Sequence, residues 1–269
     1  AHLGANSGGA NGVYWLEVME STADGLRVRN MTCRGKKKVE AVEVVIEPDL
    51  VYPLVRWSDV SRYRAVPSSH ILLVQDPVTR RGIDQRTMQD RYPRTLAYLE
   101  RFTEILTDRA AYRRYQQEAP FYSMYNVGTY TVAPIKVVWR RMDKRINAAV
   151  LTESNDPVLS LRSVIPQETC VLIAADSLDE AHYLTAVLNS SIVDFLVTSH
   201  SVDGGKGFAT PSILDFVRLK RFDPHDDRHV ELAELGRRAD DGAANGEDTS
   251  ETQAEIDRTA GRLWGLDAR

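Results

Sequence analysis

A short turn between two strand-like segments is the feature that most constrains the fold of this chain. Asp24-Gly25 separates "GVYWLEVM" from "LRVRNMT", and apolar and polar side chains alternate in the second segment. An Asp-Gly pair in this setting is one of the strongest short-range signals of a β-hairpin. Because the strands of a hairpin pair antiparallel, the fold is predicted to contain an antiparallel sheet near its beginning.

Further strand and helix signals follow along the chain. Strands are predicted in "VEAVEVVIE", at Ile71–Val74, in "YTVAPIKVVWRRM", in "NAAVL", in "TCVLIAA" and in a closing segment after the capped turn at Thr210-Pro211. One helix is predicted over residues 92–117 from apolar side chains at helical spacing. Another is predicted over 176–200, where Ser177 followed three residues later by Glu180 is a typical N-terminal cap.

The last forty residues predict two helices joined by a linker. "HVELAELGRRAD" is predicted as a short helix, "DGAANGEDTSE" as an acidic polar linker, and "TQAEIDRTAGRLWGL" as a terminal helix. We therefore predict an α+β fold, with mixed or antiparallel curved sheets, packed helices and a C-terminal helical tail. The domain boundary is predicted between residues 1–224 and the tail of residues 225–269.

Charge is distributed unevenly along the chain. The whole sequence has a net charge of −4, but residues 26–145 carry 23 Lys and Arg against 13 Asp and Glu. Residues 146–269 carry 11 basic against 22 acidic residues. Such asymmetry suggests that the basic segment faces a polyanion, unless folding intermixes the two segments.

Composition also narrows the class of protein. Cys33 and Cys170 lie far apart without CxxC or Cys/His spacing, so buried thiols are favoured over a disulfide or a zinc pair. The sequence contains neither a membrane-length apolar segment nor a signal peptide. We expect a cytoplasmic protein that makes no membrane contact.

Two segments resemble ligand sites only in part. The glycine-rich run "GANSGGANG" precedes a strand, whereas a phosphate cradle follows one, so it is interpreted as the loop that opens a domain of a longer chain. In "DGGKGFATP", Lys206 follows glycines but does not complete a nucleotide-binding loop. A flexible loop is the favoured interpretation, with Lys206 as a candidate phosphate contact.

A metal site is a weak alternative for the segment "HDDRH". His225 and His229 are four residues apart and could face one side of a helix, but no third ligand occurs at a recognised spacing. We therefore predict that both histidines are dispensable for folding and binding. The sequence has no GxSxG elbow and no adjacent prolines, so no Asn/Asp-Pro-Pro-aromatic tetrapeptide of an amino-methylating site is present. The chain is not predicted to be an enzyme in isolation.

Basic and aromatic residues are interleaved in two segments, "VRWSDVSRYR" and "KVVWRRMDKR". Guanidinium and ammonium groups neutralise phosphates, and aromatic rings stack on exposed bases. If the second segment is a strand, alternation directs Lys136 and Arg140 to one face and Val137 and Trp139 to the other. We expect the second pair in the core and the first pair at DNA.

The order of several motifs resembles the C-terminal, TaqI-like target recognition domain of adenine-N6 DNA methyltransferases from restriction-modification and phage-defence systems, including type IIG-like enzymes. The matching stretches are "GANSGGANGVYWLEV", "YPLVRWSDVSRY", "YPRTLAYLERFTEILTDR" with its closing L-x-x-R, "IKVVW", "YLTAVLNSSIVDFLV" and "IDRTAGRLWGL". They span nearly the whole chain. Trp57 and Ser58 depart from the pattern, since the family commonly has Gly and Arg at these positions.

The resemblance implies that residues 1–224 form a domain that recognises double-stranded DNA and positions a target adenine for N6 methylation. The methyl transfer would belong to an upstream catalytic domain in cis, which would hold S-adenosylmethionine, so this chain itself is expected to need no cofactor and no metal. The candidate DNA-binding residues are Arg56, Arg62, Tyr63, Lys136, Arg140, Lys144, Arg145 and Lys206. The alternatives are a protein–protein interaction module of a defence complex, which would dock through its acidic half, and a metal-dependent enzyme that uses His225 and His229.

Overall fold

The computed structural model describes residues 1–34, 38–200 and 210–266 of the chain. Its strands are β1 (His2–Leu3), β2 (Trp15–Thr22), β3 (Gly25–Asn30), β4 (Glu43–Ile46), β5 (Val51–Val55), β6 (Val60–Ser61), β7 (Arg64–Ala65), β8 (Ser69–Leu72), β9 (Gln75–Asp76), β10 (Arg81–Gly82), β11 (Lys136–Arg140), β12 (Ala148–Leu151), β13 (Ser154–Asp156), β14 (Ser160–Arg162), β15 (Ile165–Pro166) and β16 (Cys170–Ala174).

The helices lie mainly in the middle and at the end of the chain. They are α1 (Asn11–Tyr14), α2 (Gln85–Arg91), α3 (Pro93–Glu100), α4 (Thr103–Thr107), α5 (Ala110–Tyr115), α6 (Leu178–Leu188), α7 (Ser191–His200), α8 (Leu214–Val217), α9 (Asp227–Asn245) and α10 (Ser250–Leu263). The predicted α+β class is confirmed. None of the helices in the described part of the chain has the length and apolar character needed to cross a membrane.

The predicted hairpin is the centre of the first sheet. Strands β2 and β3 pair antiparallel with Thr22 opposite Gly25, as the Asp24-Gly25 turn predicts. The sheet has the order β15-β5-β8-β2-β3-β4, and its pairs are antiparallel except β15 with β5, so it is a mixed sheet. The larger hydrophobic core forms on this sheet and takes in Leu96, Leu99 and Phe102 from the predicted helical segment.

The second sheet is antiparallel and has the order β1-β16-β11-β12. Helices α6, α9 and α10 supply the core that covers it, with Val187, Leu232 and Ile256 all fully buried. The predicted boundary between residues 224 and 225 stays a prediction, but the helices that follow it are built into this second core.

A small third core joins the two sheets. Val55 at the end of β5 and Val60 of β6 pack with Val138 of β11 and Cys170 of β16. Strand β11 therefore has apolar packing on both faces, because Val137 and Trp139 belong to the second core. Burial raises the pKa of the Cys170 thiol to about 12. Cys33 is a free and exposed thiol, so the prediction that both cysteines are buried is wrong for Cys33.

The helix predicted over residues 92–117 is divided into α3, α4 and α5. It breaks at Phe102, whose buried ring packs edge-on against Tyr98 at a centroid distance of 5.3 Å. It breaks again at Arg109, whose backbone is extended. The helix predicted over 176–200 divides likewise at Asn189, although its start is confirmed: the Ser177 hydroxyl accepts a hydrogen bond from the Glu180 amide at 3.1 Å.

The C-terminal elements differ from the prediction in two respects. Helix α9 runs through the first five residues of the predicted acidic linker and ends before Gly246, whose φ of +74° terminates it in the left-handed conformation that glycine favours. The closing strand predicted before Pro224 is absent from residues 210–224, where α8 and irregular chain lie instead. Gly236 lets α9 approach α6 closely, because a Cβ there would lie 2.3 Å from the His182 carbonyl oxygen.

Candidate nucleic-acid interface

The segment that links the two sheets carries the first group of predicted residues. Arg56 is held by Asp59: its backbone amide donates to Oδ2 at 2.8 Å and its Nε lies 3.2 Å from the same oxygen. Its guanidinium also donates to the Ser68 hydroxyl at 2.5 Å. The side chains of Arg56 and Asp59 are only 13% and 6% exposed. Arg56 thus stiffens the turn, and little of its charge is presented to solvent.

Trp57 follows directly and is exposed. Its indole N–H donates to the Met142 carbonyl oxygen at 2.7 Å, and its backbone amide donates to the Thr169 hydroxyl at 3.2 Å. These two hydrogen bonds connect Trp57 to the turn after β11 and to the segment before β16. These bonds bring the two basic segments of the sequence together at one place.

Arg140 lies over the Trp57 ring, with its guanidinium carbon 4.7 Å from the ring centroid. Its Nε donates to the Val60 carbonyl at 2.6 Å, and its Nη1 lies 3.2 Å from Asp143. Arg140 is only partly exposed because it ends β11 at the edge of the third core. The cation–π contact and the ion pair fix the guanidinium in place.

We call the area formed by Trp57, Ser58, Arg140, Met142 and Lys144 the hinge surface. Four of these residues are exposed and Arg140 is partly exposed. Lys144 lies at the turn after β11, where its backbone amide donates to Asp143 at 2.8 Å, and no acidic side chain of the described residues lies within salt-bridge distance of its ammonium group. The hinge surface thus combines one free cation, one stacked guanidinium and one exposed indole. The roles of Arg56, Arg140 and Lys144 in DNA binding stay predictions.

The prediction that Lys136 faces DNA is wrong. Lys136 is fully buried, and its ammonium group donates to the Ala133 carbonyl. Burial lowers the pKa of Lys136 to about 8, and the Coulombic effect of Glu153 opposes this shift. Alternation along β11 does not identify a solvent face, because this strand lies between β12 and β16 with cores on both sides.

Tyr63 and Arg62 also serve the interior. Tyr63 is 1% exposed, packs in the second core and donates its hydroxyl to Gln253 Oε1 of α10 at 2.5 Å. The adjacent Arg62 donates to the Asn189 carbonyl at the junction of α6 and α7. The prediction that Tyr63 faces DNA is therefore wrong, and neither residue belongs to the hinge surface.

Residues 26–145, which are rich in basic side chains, contact the acidic C-terminal part of the chain through Arg64 and Arg145. Arg145 is exposed and lies 3.6 Å from Asp194 of α7. Arg64 donates to the Ala244 carbonyl of α9 at 3.0 Å. Part of the positive charge of residues 26–145 is thus used to dock the C-terminal helices, which is the intermixing that the charge count alone left open. The DNA contact of Arg145 stays a prediction, and Lys206 lies outside the described residues.

The two histidines of "HDDRH" have different environments. His229 is 4% exposed, stacks between Tyr183 and Phe222, and accepts a hydrogen bond from the Asp223 amide at 3.0 Å. His225 is exposed and precedes α9. The prediction that both histidines are dispensable stays a prediction, but the burial of the His229 ring against Tyr183 is typical of a structural role. Across residues 1–34, 38–200 and 210–266, no group of three His, Cys, Asp or Glu side chains could hold a metal ion.

The sequence analysis missed Arg109, which organises the glycine-rich loop. This side chain is 2% exposed and donates to four carbonyl oxygens, those of Leu106, Ser7, Ser123 and Phe121, at 2.7–2.9 Å. Its guanidinium also lies within 6 Å of the rings of Tyr14, Tyr112 and Tyr125. Arg109 is the arginine of the L-x-x-R motif, and that motif was the signal in the sequence.

Comparisons with known proteins find a likeness in structure alone. No family model matches the sequence, and no curated protein matches it. Among solved structures, the type IIL restriction-modification enzyme MmeI in complex with DNA aligns with a TM-score of 0.58 and 10% sequence identity. The alignment covers 82% of this chain and 29% of that chain. The chain therefore has a fold like that of part of this restriction-modification enzyme and spans less than a third of its length.

Proposed function

We propose that this chain is a target recognition domain that binds double-stranded DNA in a sequence-specific manner. The observation that carries the proposal is the likeness, over 82% of the chain, to part of a restriction-modification enzyme whose structure was determined with DNA. The ordered motifs that resemble adenine-N6 methyltransferases support the same assignment independently, because they come from the sequence and not from the fold.

The hinge surface supplies suitable chemistry for this function. Lys144 and Arg140 can neutralise phosphates and release condensed counterions, which is the main source of affinity for duplex DNA. Exposed hydroxyl groups, such as that of Ser58, are typical phosphate or base-edge ligands. The bonds of Arg56 to Asp59 and Ser68 fix the turn that carries Ser58, and Arg140 is fixed by Asp143 and the Trp57 ring.

We further propose that the domain positions a target adenine for N6 methylation by a catalytic domain in the same polypeptide. Among the described residues, the strand–turn–helix unit β16–α6 turns through Ala175-Asp176-Ser177 without the glycines of a typical S-adenosylmethionine loop. The cofactor would be held by that other domain. In this proposal the parent protein is a restriction-modification or phage-defence enzyme of the prokaryotic cytoplasm, and this chain alone does not transfer methyl groups.

Selection from a random duplex library tests the proposal. The purified chain, or the full-length protein that contains it, is incubated with duplexes that carry a randomised centre, and bound DNA is sequenced after several rounds. The proposal expects one enriched motif, which fluorescence anisotropy then shows to bind more tightly than a scrambled duplex. Absence of enrichment, together with equal affinity for both duplexes, would overturn sequence-specific recognition.

A further inference from the structure

The hinge surface holds an indole ring whose exposure is unusual. Trp57 is 42% exposed, whereas Trp139 is fully buried and Trp15 nearly so. A tryptophan buries more apolar surface than any other side chain when it enters a core, so exposure forgoes much stabilisation. An exposed ring at a basic surface is therefore a candidate for ligand contact.

The Trp57 ring is also rigid. Its position is fixed by the hydrogen bond to the Met142 carbonyl, by the Thr169 contact of its backbone amide and by the guanidinium of Arg140. Arg140 and Met142 lie at the end of β11 and in the turn after it, and Thr169 lies in the segment before β16. A side chain that is already ordered loses little conformational entropy when it binds a ligand.

Stacking is the interaction that remains available to this ring. The indole N–H is already used by Met142, so the exposed part of the ring offers only apolar and π contact. In a DNA duplex the faces of each base are covered by its neighbours. A protein ring can stack on a base face only where the base has left the helical stack.

We propose that Trp57 is a stacking platform for one unstacked nucleobase of the bound DNA, an inference that rests on the DNA-binding function proposed above. Arg140 holds the ring from one side. Lys144 is two residues after Met142, whose carbonyl binds the indole N–H, and its ammonium group is the candidate for neutralising phosphates next to the extruded base. The site would favour duplexes in which a base is already unpaired. Its ligand class is therefore an extrahelical base with its flanking phosphates.

Two duplexes that differ in one residue test the inference. One carries a single bulged thymidine, and the other carries a bulged abasic residue at the same position. We expect the wild type to bind the first about 10- to 100-fold more tightly, which is the usual contribution of one base stacked on an aromatic ring. Trp57→Phe should retain most of this preference, and Trp57→Ala should lose it.

Tyr115→Ala is the matched control. Tyr115 is 72% exposed, and the guanidinium carbon of Arg114 lies 5.2 Å from its ring centroid. Tyr115 is on α5, outside the hinge surface. It should keep the wild-type preference. The difference in tryptophan emission between wild type and Trp57→Phe gives a second measurement, since stacking should quench Trp57 fluorescence. The fluorescence measurement still tests the inference if Trp57→Ala fails to fold.

The outcomes separate this inference from the proposed function. Equal affinity of the wild type for the two duplexes, preference retained by Trp57→Ala, or no quenching of Trp57 would overturn the stacking role while leaving duplex binding intact. An equal loss in Tyr115→Ala would also overturn it, because the effect would then not be specific to the hinge surface. Failure of the wild type to bind any duplex would overturn both proposals.

Discussion

At the scale of single residues, buried positively charged side chains fix the local structure of this protein, and Arg109 is the main example. Arg109 is enclosed by carbonyl oxygens and tyrosine rings, and no acidic side chain of the described residues lies within salt-bridge distance of it. The guanidinium satisfies carbonyl groups that would otherwise be buried without partners, including that of Ser7 in the glycine-rich loop. It therefore fixes the loop that leads into the first sheet.

Replacing Arg109 with methionine should destabilise the protein by about 3 to 5 kcal/mol, because four carbonyl groups lose their charged donor. Arg113→Met is the control: its side chain is 63% exposed and pairs with Asp108, so its loss should cost less than about 1 kcal/mol. Urea unfolding of both variants measures the difference. Equal small losses would show that Arg109 is not the organising residue.

Because Lys136 is buried, the free energy of unfolding should depend on pH in the alkaline range. Burial lowers its pKa from 10.5 to about 8, so between these values the unfolded chain holds a proton that the folded protein has released. The folded state therefore gains stability as the pH rises through this window. The gain amounts to about 3 kcal/mol, because a tenfold change in an equilibrium constant is worth about 1.4 kcal/mol.

Comparison with Lys136→Met isolates this effect from other titrating groups. Relative to that variant, the wild type should gain stability from pH 8 to pH 10.5 in urea unfolding measured across the window. Lys144→Met serves as the control: it retains Lys136 and should show the same gain as the wild type, relative to Lys136→Met. Parallel curves for wild type and Lys136→Met would contradict the burial of a titrating ammonium group.

At the scale of elements, the sequence predicted strands better than helix breaks. Period-two alternation and the Asp-Gly turn identified the hairpin of β2 and β3. The apolar runs identified β11 and β12 as strands, and the two pair antiparallel. Apolar spacing cannot show where a helix stops when the interruption comes from tertiary contacts. Asn189 lies between α6 and α7, where its side chain is drawn into a buried contact with Ala148 in a distant part of the fold. Phe102 lies between α3 and α4 and is buried in the larger core.

Asn189 connects the break between α6 and α7 to the edge of the second sheet. Its side chain exchanges two hydrogen bonds with the backbone of Ala148, at 2.8 and 2.9 Å, in a buried position. Asn189→Ala should cost about 2 to 3 kcal/mol, because both backbone groups of Ala148 lose a buried partner. Asn245→Ala, at an exposed helix end, should change stability by less than about 0.5 kcal/mol. Equal losses of stability for Asn189→Ala and Asn245→Ala in thermal unfolding would contradict this role of Asn189.

At the scale of the whole molecule, the candidate surface could be predicted only in part. The sequence identified both basic, aromatic segments, and the fold joins them through Trp57 and Met142. It could not show that Lys136 and Tyr63 point inward, because their burial depends on cores contributed by both halves of the chain. It also could not show how much positive charge is used to dock the acidic helices, as with Arg145 and Asp194.

The salt dependence of duplex binding tests the central claim most directly. Affinity measured by fluorescence anisotropy should fall steeply with salt, and Lys144→Ala should lower the logarithmic slope by about one, as expected for one lost phosphate contact. Lys136→Met removes the same charge from a buried position and should leave the slope unchanged. Absence of duplex binding at low salt, or a slope that falls for Lys136→Met and not for Lys144→Ala, would contradict a DNA-recognition domain that acts through the hinge surface.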